Sequence, residues 1–229
     1  MRVLAIGDIH GCTKALNKLL TTVSPSPEDL VVTLGDYVDR GPDSRGVLDR
    51  LIEFQATGRL VALRGNHDQM MLEARHGAEE EMIWRLCGGQ QTLESYSPPG
   101  DVGKLEHVPQ RHWDFLQNHC VNYYETDTHF FVHANAYADL PLDQQPDFML
   151  FWERLTDPDP HHTGKIMVCG HTSQESGLPL NLGHTICIDT KVYGTGWLTC
   201  LDVMSGQVWQ ANQEGQHRTT CIDDFAVGT

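Results

Sequence analysis

The first third of the chain alternates short apolar runs with amphipathic segments. Residues 3–6, 30–34 and 60–63 are apolar runs typical of strands that are buried on both faces. Two intervening sets of apolar residues recur at the spacing of one helical face, Leu16, Leu19, Leu20 and Val23, then Val47, Leu48, Leu51 and Ile52. The pattern predicts a βαβαβ unit with parallel strands and right-handed crossovers.

The remaining pattern divides into a helical part and a strand-rich part. Residues 79–124 are predicted to be helix-rich, following a helix from about residue 69, and we interpret them as a cap inserted in a single domain, 1–229. Residues 137–165, rich in Asp and Pro, are predicted to cross the surface as a long excursion. The tail after residue 212 gives no pattern. Further strands are predicted at 128–133, 166–169, 185–188, 197–203 and 207–210, with a hairpin turn at 204–206.

Composition narrows the class of protein. The chain is 40% hydrophobic and 21% charged, as globular domains are, and its formal charge of −15 argues against an extended nucleic-acid interface. An anionic substrate stays compatible, because bound divalent metal ions can dominate a local field. Seven scattered Cys without a CxxC pair fit reduced thiols, and no run approaches the roughly 20 apolar residues of a membrane span. We expect a soluble, cytoplasmic protein without membrane partners, and the pattern gives no oligomeric state.

Metal-ligand residue types follow five of the predicted strands. The motifs are GDIHG at 7–11, GDYVDRG at 35–41, GNHD at 65–68 and GHT at 170–172, with FVHA at 131–134 lacking only the glycine. Because ligand sites in open α/β sheets lie at the carboxyl ends of the strands, these side chains are expected to converge. The candidate metal ligands are Asp8, His10, Asp36, Asn66, His133 and His171.

This donor set predicts a site for two metal ions. Oxygen and imidazole ligands suit Mn, Fe, Mg or Zn. Asp8 and His10 share one loop and can reach one ion, whereas Asp36 arrives from the neighbouring strand and is placed to bridge two ions. The other three candidates, Asn66, His133 and His171, would complete the coordination of the second ion. Two ions about 3.5–4 Å apart can activate a bridging hydroxide for in-line attack at phosphorus.

Three further residues suit the other requirements of phosphoester hydrolysis. His67 follows Asn66, so it is expected to point into the site without being a ligand, and Asp39 could hold its imidazole in the cationic, donating form. Arg40 can offer a bidentate fork to phosphate oxygens. No nucleophile elbow or phosphate-binding loop is present, which favours direct attack by water over a covalent intermediate.

Competing interpretations exist for some of these residues. A single Asp after a strand is most often a helix N-cap or turn residue, but ligand types recur at five strand ends. His184, in a second GHT at 183–185, competes with His171 as a ligand. Because His184 precedes a predicted strand whereas His171 follows one, His171 is favoured.

The ordered motifs resemble the phosphoprotein phosphatase family of metallophosphoesterases, in particular its bacterial and phage branch, typified by lambda phosphatase. Further matches lie at residues 66–71, 84–89, 152–154 and 188–190, and the resemblance spans about residues 3–203. It implies a four-layer αββα sandwich of the calcineurin-like type. It also implies two divalent ions on the six candidate ligands, with Mn expected and Fe/Zn or Mg as alternatives. The remaining roles would be His67 as general acid supported by Asp39, with Arg40 and Arg154 holding phosphate.

The resemblance also implies a metal-dependent phosphatase acting on phosphoserine and phosphothreonine, and in addition phosphotyrosine, in proteins or peptides. A dinucleoside tetraphosphate hydrolase is the alternative enzyme, and Asp39 favours the phosphatase over it. A non-catalytic scaffold is disfavoured because all six ligands and His67 are present. Asn135 and Lys191 depart from the usual family pattern, and we expect both near the rim of the site, where they would affect substrate choice.

Overall fold

Buried apolar strands form two sheets in this protein. The computed structural model describes residues 1–57 and 59–226. The predicted domain also includes residues 58 and 227–229, which lie outside the described residues. The strands are β1 (Val3–Ile6), β2 (Leu30–Thr33), β3 (Arg59–Leu63), β4 (Cys120–Val121), β5 (Tyr123–Glu125), β6 (His129–Val132), β7 (Ile166–Cys169), β8 (Leu180–Asn181), β9 (Thr185–Cys187), β10 (Leu198–Asp202), β11 (Gln207–Ala211) and β12 (His217–Cys221).

Helices fill the intervals between these strands. Two π-helical turns, Arg85–Gly89 and Phe115–His119, continue α-helices, whereas the short 3-10 turns are separate from them. Within the described residues, no helix combines the length and the apolar character required to cross a bilayer. The α-helices are α1 (Thr13–Val23), α2 (Ser44–Thr57), α3 (Asn66–Glu73), α4 (Ala78–Trp84), α5 (Gln90–Ser95), α6 (Gln110–Asp114) and α7 (Asp147–Phe151).

The sheet topology brings the carboxyl ends of several parallel strands together. The first sheet has the order β12-β11-β10-β1-β2-β3-β4, in which β1 to β4 are parallel and β10 to β12 form an antiparallel meander. The second sheet has the order β5-β6-β7-β9-β8, and β6, β7 and β9 are parallel. The predicted βαβαβ unit and the hairpin between β10 and β11 are therefore confirmed.

Three apolar clusters separate four layers, which confirms the predicted two-sheet α/β sandwich. Alternate residues of β1 face opposite ways: Val3 and Ala5 lie in the cluster between the sheets, whereas Leu4 and Ile6 pack toward α1 and α2. On the far side of the second sheet, Phe130 packs with residues of α7 and of the 3-10 turn Leu142–Gln144. Both faces of each sheet are thus covered, which explains the continuous apolar runs in the sequence.

Parts of the sequence prediction differ from the structure. The tail without a pattern contains β12, and β4, β5 and β8 were not predicted because strands of two or three residues carry no readable periodicity. The helix expected from about residue 69 is α3, which begins at Asn66. The predicted surface excursion of residues 137–165 is wrong in part, since it contains α7 with buried apolar residues.

The helix-rich segment packs against the first sheet. Trp84, Leu93 and Trp113 lie in the same apolar cluster as α1 and α2. The segment is therefore continuous with the helical layer, and its description as an inserted cap stays a prediction.

Phe131 is fully buried between the sheets and provides a test of this core. We expect Phe131→Ala to lower the free energy of unfolding by about 3–5 kcal/mol, because it leaves a cavity that rigid strands cannot fill. Urea unfolding in the presence of a chelator measures this without a metal contribution. Phe148→Ala, at a side chain 55% exposed, is the control. A loss below about 1 kcal/mol for Phe131→Ala would contradict the packing described.

Candidate metal centre

The six predicted ligands lie together at one end of the two sheets. Asp8 and His10 follow β1, Asp36 follows β2, and Asn66 begins α3 directly after β3. The second sheet contributes His133 after β6 and His171 after β7. Among residues 1–57 and 59–226, two groups of three residues each bring their donor atoms within 4.8 Å of one another. One group is Asp8, Asp36 and His133, and the other is His10, Asp36 and His67.

Asp36 belongs to both groups. Its Oδ2 lies 3.3 Å from His10 Nε2, and its Oδ1 lies 3.5 Å from His133 Nε2 and accepts the His67 backbone N–H at 3.0 Å. Burial opposes ionisation of Asp36, but the surrounding imidazoles, His133 first, outweigh burial and hold its pKa below the ordinary value. A central anion shared by two groups of donors is the arrangement that bridging of two ions requires, and the bridge itself stays a prediction.

Ring orientation directs one nitrogen of each imidazole into the donor cluster, although that of His10 accepts from Arg40 Nη1 at 2.9 Å. His10 Nδ1 lies 2.9 Å from the Val38 carbonyl and His133 Nδ1 lies 2.7 Å from the Leu34 carbonyl. Since a carbonyl oxygen only accepts, these Nδ1 atoms donate, and in the neutral ring the lone pair is at Nε2, facing Asp36. In His171 the roles are reversed, because Nε2 donates to the Trp152 carbonyl at 3.1 Å.

The donor set fits divalent metal ions. Asn66 Oδ1 lies 3.0 Å from both His133 Nε2 and His171 Nδ1, two nitrogens that carry lone pairs and cannot donate to it. Asp8 Oδ2 accepts the His171 backbone N–H, whereas Asp8 Oδ1 is buried without a hydrogen-bond partner among the described residues. Burial lowers the pKa of His10 to about 3 and that of His171 to about 4, so both rings are neutral. Clustered acceptors without donors are what a cation would satisfy.

Backbone conformation explains the motif glycines. His10, Asp36 and His171 have φ values of 42°, 51° and 59°, in the sparsely populated left-handed region that is found at functional sites. A Cβ on Gly65 would lie 2.1 Å from Asp36 Oδ1, and one on Gly170 would lie 2.0 Å from Asp8 Oδ1. The glycines of GNHD and GHT are therefore required for the close approach of neighbouring loops.

Asp68 connects the loops after β2 and β3, a role that sequence reasoning missed. Its carboxylate accepts the backbone N–H groups of Asp36, Tyr37 and Gly65, each at 2.9 Å. Asp68, the last residue of the GNHD motif, therefore fixes the backbone at Asp36. Its position in a motif was the only sequence signal for this role.

His67 and Asp39 form the predicted pair. His67 Nδ1 lies 2.7 Å from Asp39 Oδ2, and Asp39 also accepts from Trp84 Nε1 at 2.9 Å and from Thr92 Oγ1 at 2.8 Å. Burial lowers the pKa of His67, but the charge of Asp36 and the hydrogen bond to Asp39 outweigh it and raise the pKa above its usual value. The ring is therefore biased toward its cationic, donating form. Because His67 also lies in a donor group, its role as acid rather than ligand stays a prediction.

The two predicted phosphate-binding arginines border one cleft of about 180 Å³, together with Asp36 and His171. Arg40 Nη1 lies 2.9 Å from His10 Nε2, and its guanidinium lies over the Tyr193 ring, 4.7 Å from the centroid. Tyr193 was not predicted from the sequence. Phosphate binding by Arg40 and Arg154 stays a prediction that this position supports.

The competing ligand candidate and the two departures from the family pattern lie in different parts of the structure. His184 hydrogen-bonds the Pro158 carbonyl at 2.7 Å and is in neither donor group of the described residues. Lys191 forms an ion pair with Glu175, which lines the cleft, so this departure lies at the rim as expected. Asn135 lines an adjoining cavity with Arg154.

The fold and the donor set are those expected of the metallophosphoesterase class. Residues 1–194 match the family described as Calcineurin-like phosphoesterase, and the chain belongs to this family. The family uses a dinuclear divalent metal site, and the candidate ligand groups described above are consistent with it.

Known relatives carry more than one activity in their names. The chain is 46% identical over 88 residues to serine/threonine-protein phosphatase 1 of Salmonella typhimurium, covering 38% of each chain. It is 49% identical over 81 residues to a symmetrical bis(5'-nucleosyl)-tetraphosphatase of Paracidovorax citrulli, covering 35% of this chain and 28% of the relative. The alignments thus span well under half of these curated relatives.

Solved structures agree on the fold. A putative diadenosine tetraphosphatase matches with a TM-score of 0.61 at 22% identity, over 96% of this chain and 93% of its own. A cold-active protein-tyrosine phosphatase of a Shewanella species matches with a TM-score of 0.68 at 19% identity, over 95% of this chain and 80% of its own. At this identity the likeness concerns the fold alone.

Removing the shared carboxylate tests the centre. We expect Asp36→Asn to bind essentially no Mn, because the variant loses the anion that both donor groups contain. Elemental analysis after incubation with Mn and desalting measures the ions per chain. Asp223→Asn, at an exposed residue of the last 3-10 turn, is the control and should bind as the parent does. If Asp36→Asn retained two ions, the bridge would be elsewhere.

Proposed function

We propose that this protein is a metal-dependent phosphatase that hydrolyses phosphomonoesters, foremost phosphoserine and phosphothreonine in proteins or peptides. The observation that carries the proposal is the buried pair of His67 and Asp39 at the edge of the donor cluster. The rate gain that a general acid at His67 provides depends on the leaving group of the reaction.

A general acid helps most when the leaving oxygen is strongly basic. The alkoxide of a serine or threonine is such an oxygen, and protonation of it is worth about 10²–10⁴ in rate. A nucleotide leaving group departs as a phosphate, whose second pKa is near 6, and gains much less from an acid. The side chains of Trp84 and Thr92 fix Asp39 in the His67–Asp39 pair, which supports a substrate that needs the proton.

The cations of the cleft match one phosphoryl group. Arg40 and Arg154 border the cleft, whereas Lys191 is neutralised by Glu175 at its rim. Two guanidinium groups are suited to the oxygens of a single phosphoryl group. A tetraphosphate chain would require a longer cationic track.

Each residue then has a distinct part in the reaction. When bound, two divalent ions would supply Lewis-acid stabilisation and lower the pKa of water. Arg40 and Arg154 orient the phosphoryl oxygens, and His67 gives its proton to the departing oxygen. Asp39 keeps the imidazole charged and fixes its orientation until that transfer.

A dinucleoside tetraphosphate hydrolase is the second candidate. It is favoured by the 49% identity to the Paracidovorax citrulli relative, whose name gives that activity. The same metal centre would serve both reactions, so only the substrate separates the two candidates.

A direct substrate comparison tests the proposal. Metal-stripped protein resupplied with Mn should release phosphate from phosphoserine and phosphothreonine peptides while leaving diadenosine tetraphosphate intact. Phosphate release and nucleotide chromatography measure both reactions in parallel. Faster cleavage of the dinucleotide would establish the second candidate instead.

The His67→Asn variant tests the acid. We expect kcat for alkyl phosphopeptides to fall by about 10²–10⁴ without loss of metal, because the leaving alkoxide is no longer protonated. For an aryl phosphate with an acidic phenol the loss should be much smaller. His217→Asn, on exposed β12, is the matched control. Equal losses on both substrates, or metal loss, would overturn the assigned role.

A further inference from the structure

The rim of the metal cleft carries a solvent-accessible ion pair that joins two loops. Glu175 belongs to the loop after β7 and lines the cleft, and Lys191 belongs to the turn after β9. Lys191 Nζ donates to both carboxylate oxygens of Glu175, each at 2.5 Å. We name these two side chains the rim pair. Their charges cancel, so the lysine contributes no net positive charge to the mouth of the cleft.

The backbone beneath the rim pair is held in place. The buried carboxylate of Asp189 accepts from Ser173 Oγ at 2.6 Å and from the Lys191 backbone N–H at 3.0 Å. The Gln174 N–H donates to the Asp189 carbonyl at 2.8 Å. The loop after β7 and the turn after β9 therefore keep a fixed separation, and the fold itself places the two charges opposite each other.

The backbone conformation of Lys191 is difficult to explain by folding. Its φ is 59°, in the left-handed region that glycine adopts without strain. An exposed ion pair adds little stability, so the contact with Glu175 does not account for a strained lysine here. Strained residues cluster at functional sites, and this one is also a departure from the usual family pattern. The position and the strain together indicate a role for the ammonium group at the cleft.

We propose that the rim pair sets how strongly the cleft discriminates against a second anionic group beside the phosphoryl group, with Glu175 as the specificity-determining residue. The inference rests on the proposed function. The cleft has a volume of about 180 Å³, so side chains that neighbour the phosphorylated residue lie at its rim. Because Glu175 neutralises Lys191, a substrate carboxylate or second phosphate gains no attraction from this lysine and faces the Glu175 carboxylate on the lining.

The test compares a phosphothreonine peptide flanked by alanines with peptides that carry Glu at each of the two positions on either side. The measured quantity is the ratio of kcat/KM for each Glu peptide to that for the alanine peptide. In Glu175→Gln, which frees the ammonium group of Lys191, the ratio for the best position should rise about threefold to tenfold above that of the parent. The rise should appear mainly in KM and shrink at high salt.

Two further variants complete a double-mutant cycle. Lys191→Gly relieves the strained backbone but leaves the Glu175 carboxylate unpaired, so the ratio should fall below that of the parent. The double variant Glu175→Gln/Lys191→Gly removes both charges and should return the ratio to the value of the parent. Glu214→Gln, at an exposed residue in the turn between β11 and β12, is the matched control and should leave the ratio unchanged.

The outcomes separate this inference from the proposed function. If Glu175→Gln leaves the ratio unchanged, or the double variant keeps the raised ratio, the rim pair is not the determinant while the proposed function stands. If Glu175→Gln abolishes hydrolysis of a small aryl phosphate, which has no neighbouring side chains, Glu175 acts on the centre itself and the inference is wrong. If the parent hydrolyses the aryl phosphate but no phosphopeptide, the proposed function fails and this inference fails with it.

Discussion

The buried carboxylate of Asp36 lies at the junction of the two sheets, within 3.5 Å of imidazole nitrogens from both of them. A buried anion is costly unless it is compensated, and here the His67 backbone N–H and the cations that the donor set fits would supply that compensation. His10 approaches from the first sheet, His133 from the second, and the His67 backbone donates to Asp36 Oδ1. The relative placement of the two sheets is therefore linked to the charge balance of one side chain.

This constraint accounts for features that core packing alone leaves unexplained. Asp68 fixes the backbone N–H groups of Asp36, Tyr37 and Gly65, and a side chain at Gly65 would collide with the Asp36 carboxylate. The left-handed backbone at His10, Asp36 and His171 is strained, and the surrounding hydrogen bonds keep it in place. The backbone strain at these residues is thus offset by hydrogen bonds to the loops that the two packed sheets hold in place.

Much of the fold, and the convergence of the six candidate ligands, could be predicted from sequence. Strands such as β1 and β2 are buried on both faces and read as uninterrupted apolar runs, and a strand followed by Gly-Asp places its carboxylate at a sheet edge. The start of α3 at Asn66 could not be predicted, because Gly65 supplies no capping side chain and Asp68 caps from within the helix. β12 was missed because its residues are half exposed and paired only through β11.

Roles that depend on distant contacts were also beyond sequence reasoning. Tyr193 and Arg40 are far apart in sequence, and only the fold brings the guanidinium over the ring. The cavity of about 400 Å³ likewise combines the loop after β6 with the segment after α7, and neither segment carries a motif for it. The motifs supplied candidate ligand positions, whereas the cavities beside them emerged only from the structure.

The most direct test of the central role of Asp36 is a crystal structure of the protein with Mn, using anomalous scattering to locate the ions. We expect two Mn positions about 3.5–4 Å apart, with Asp36 bound to both. A single ion, or two ions of which only one contacts Asp36, would contradict the account.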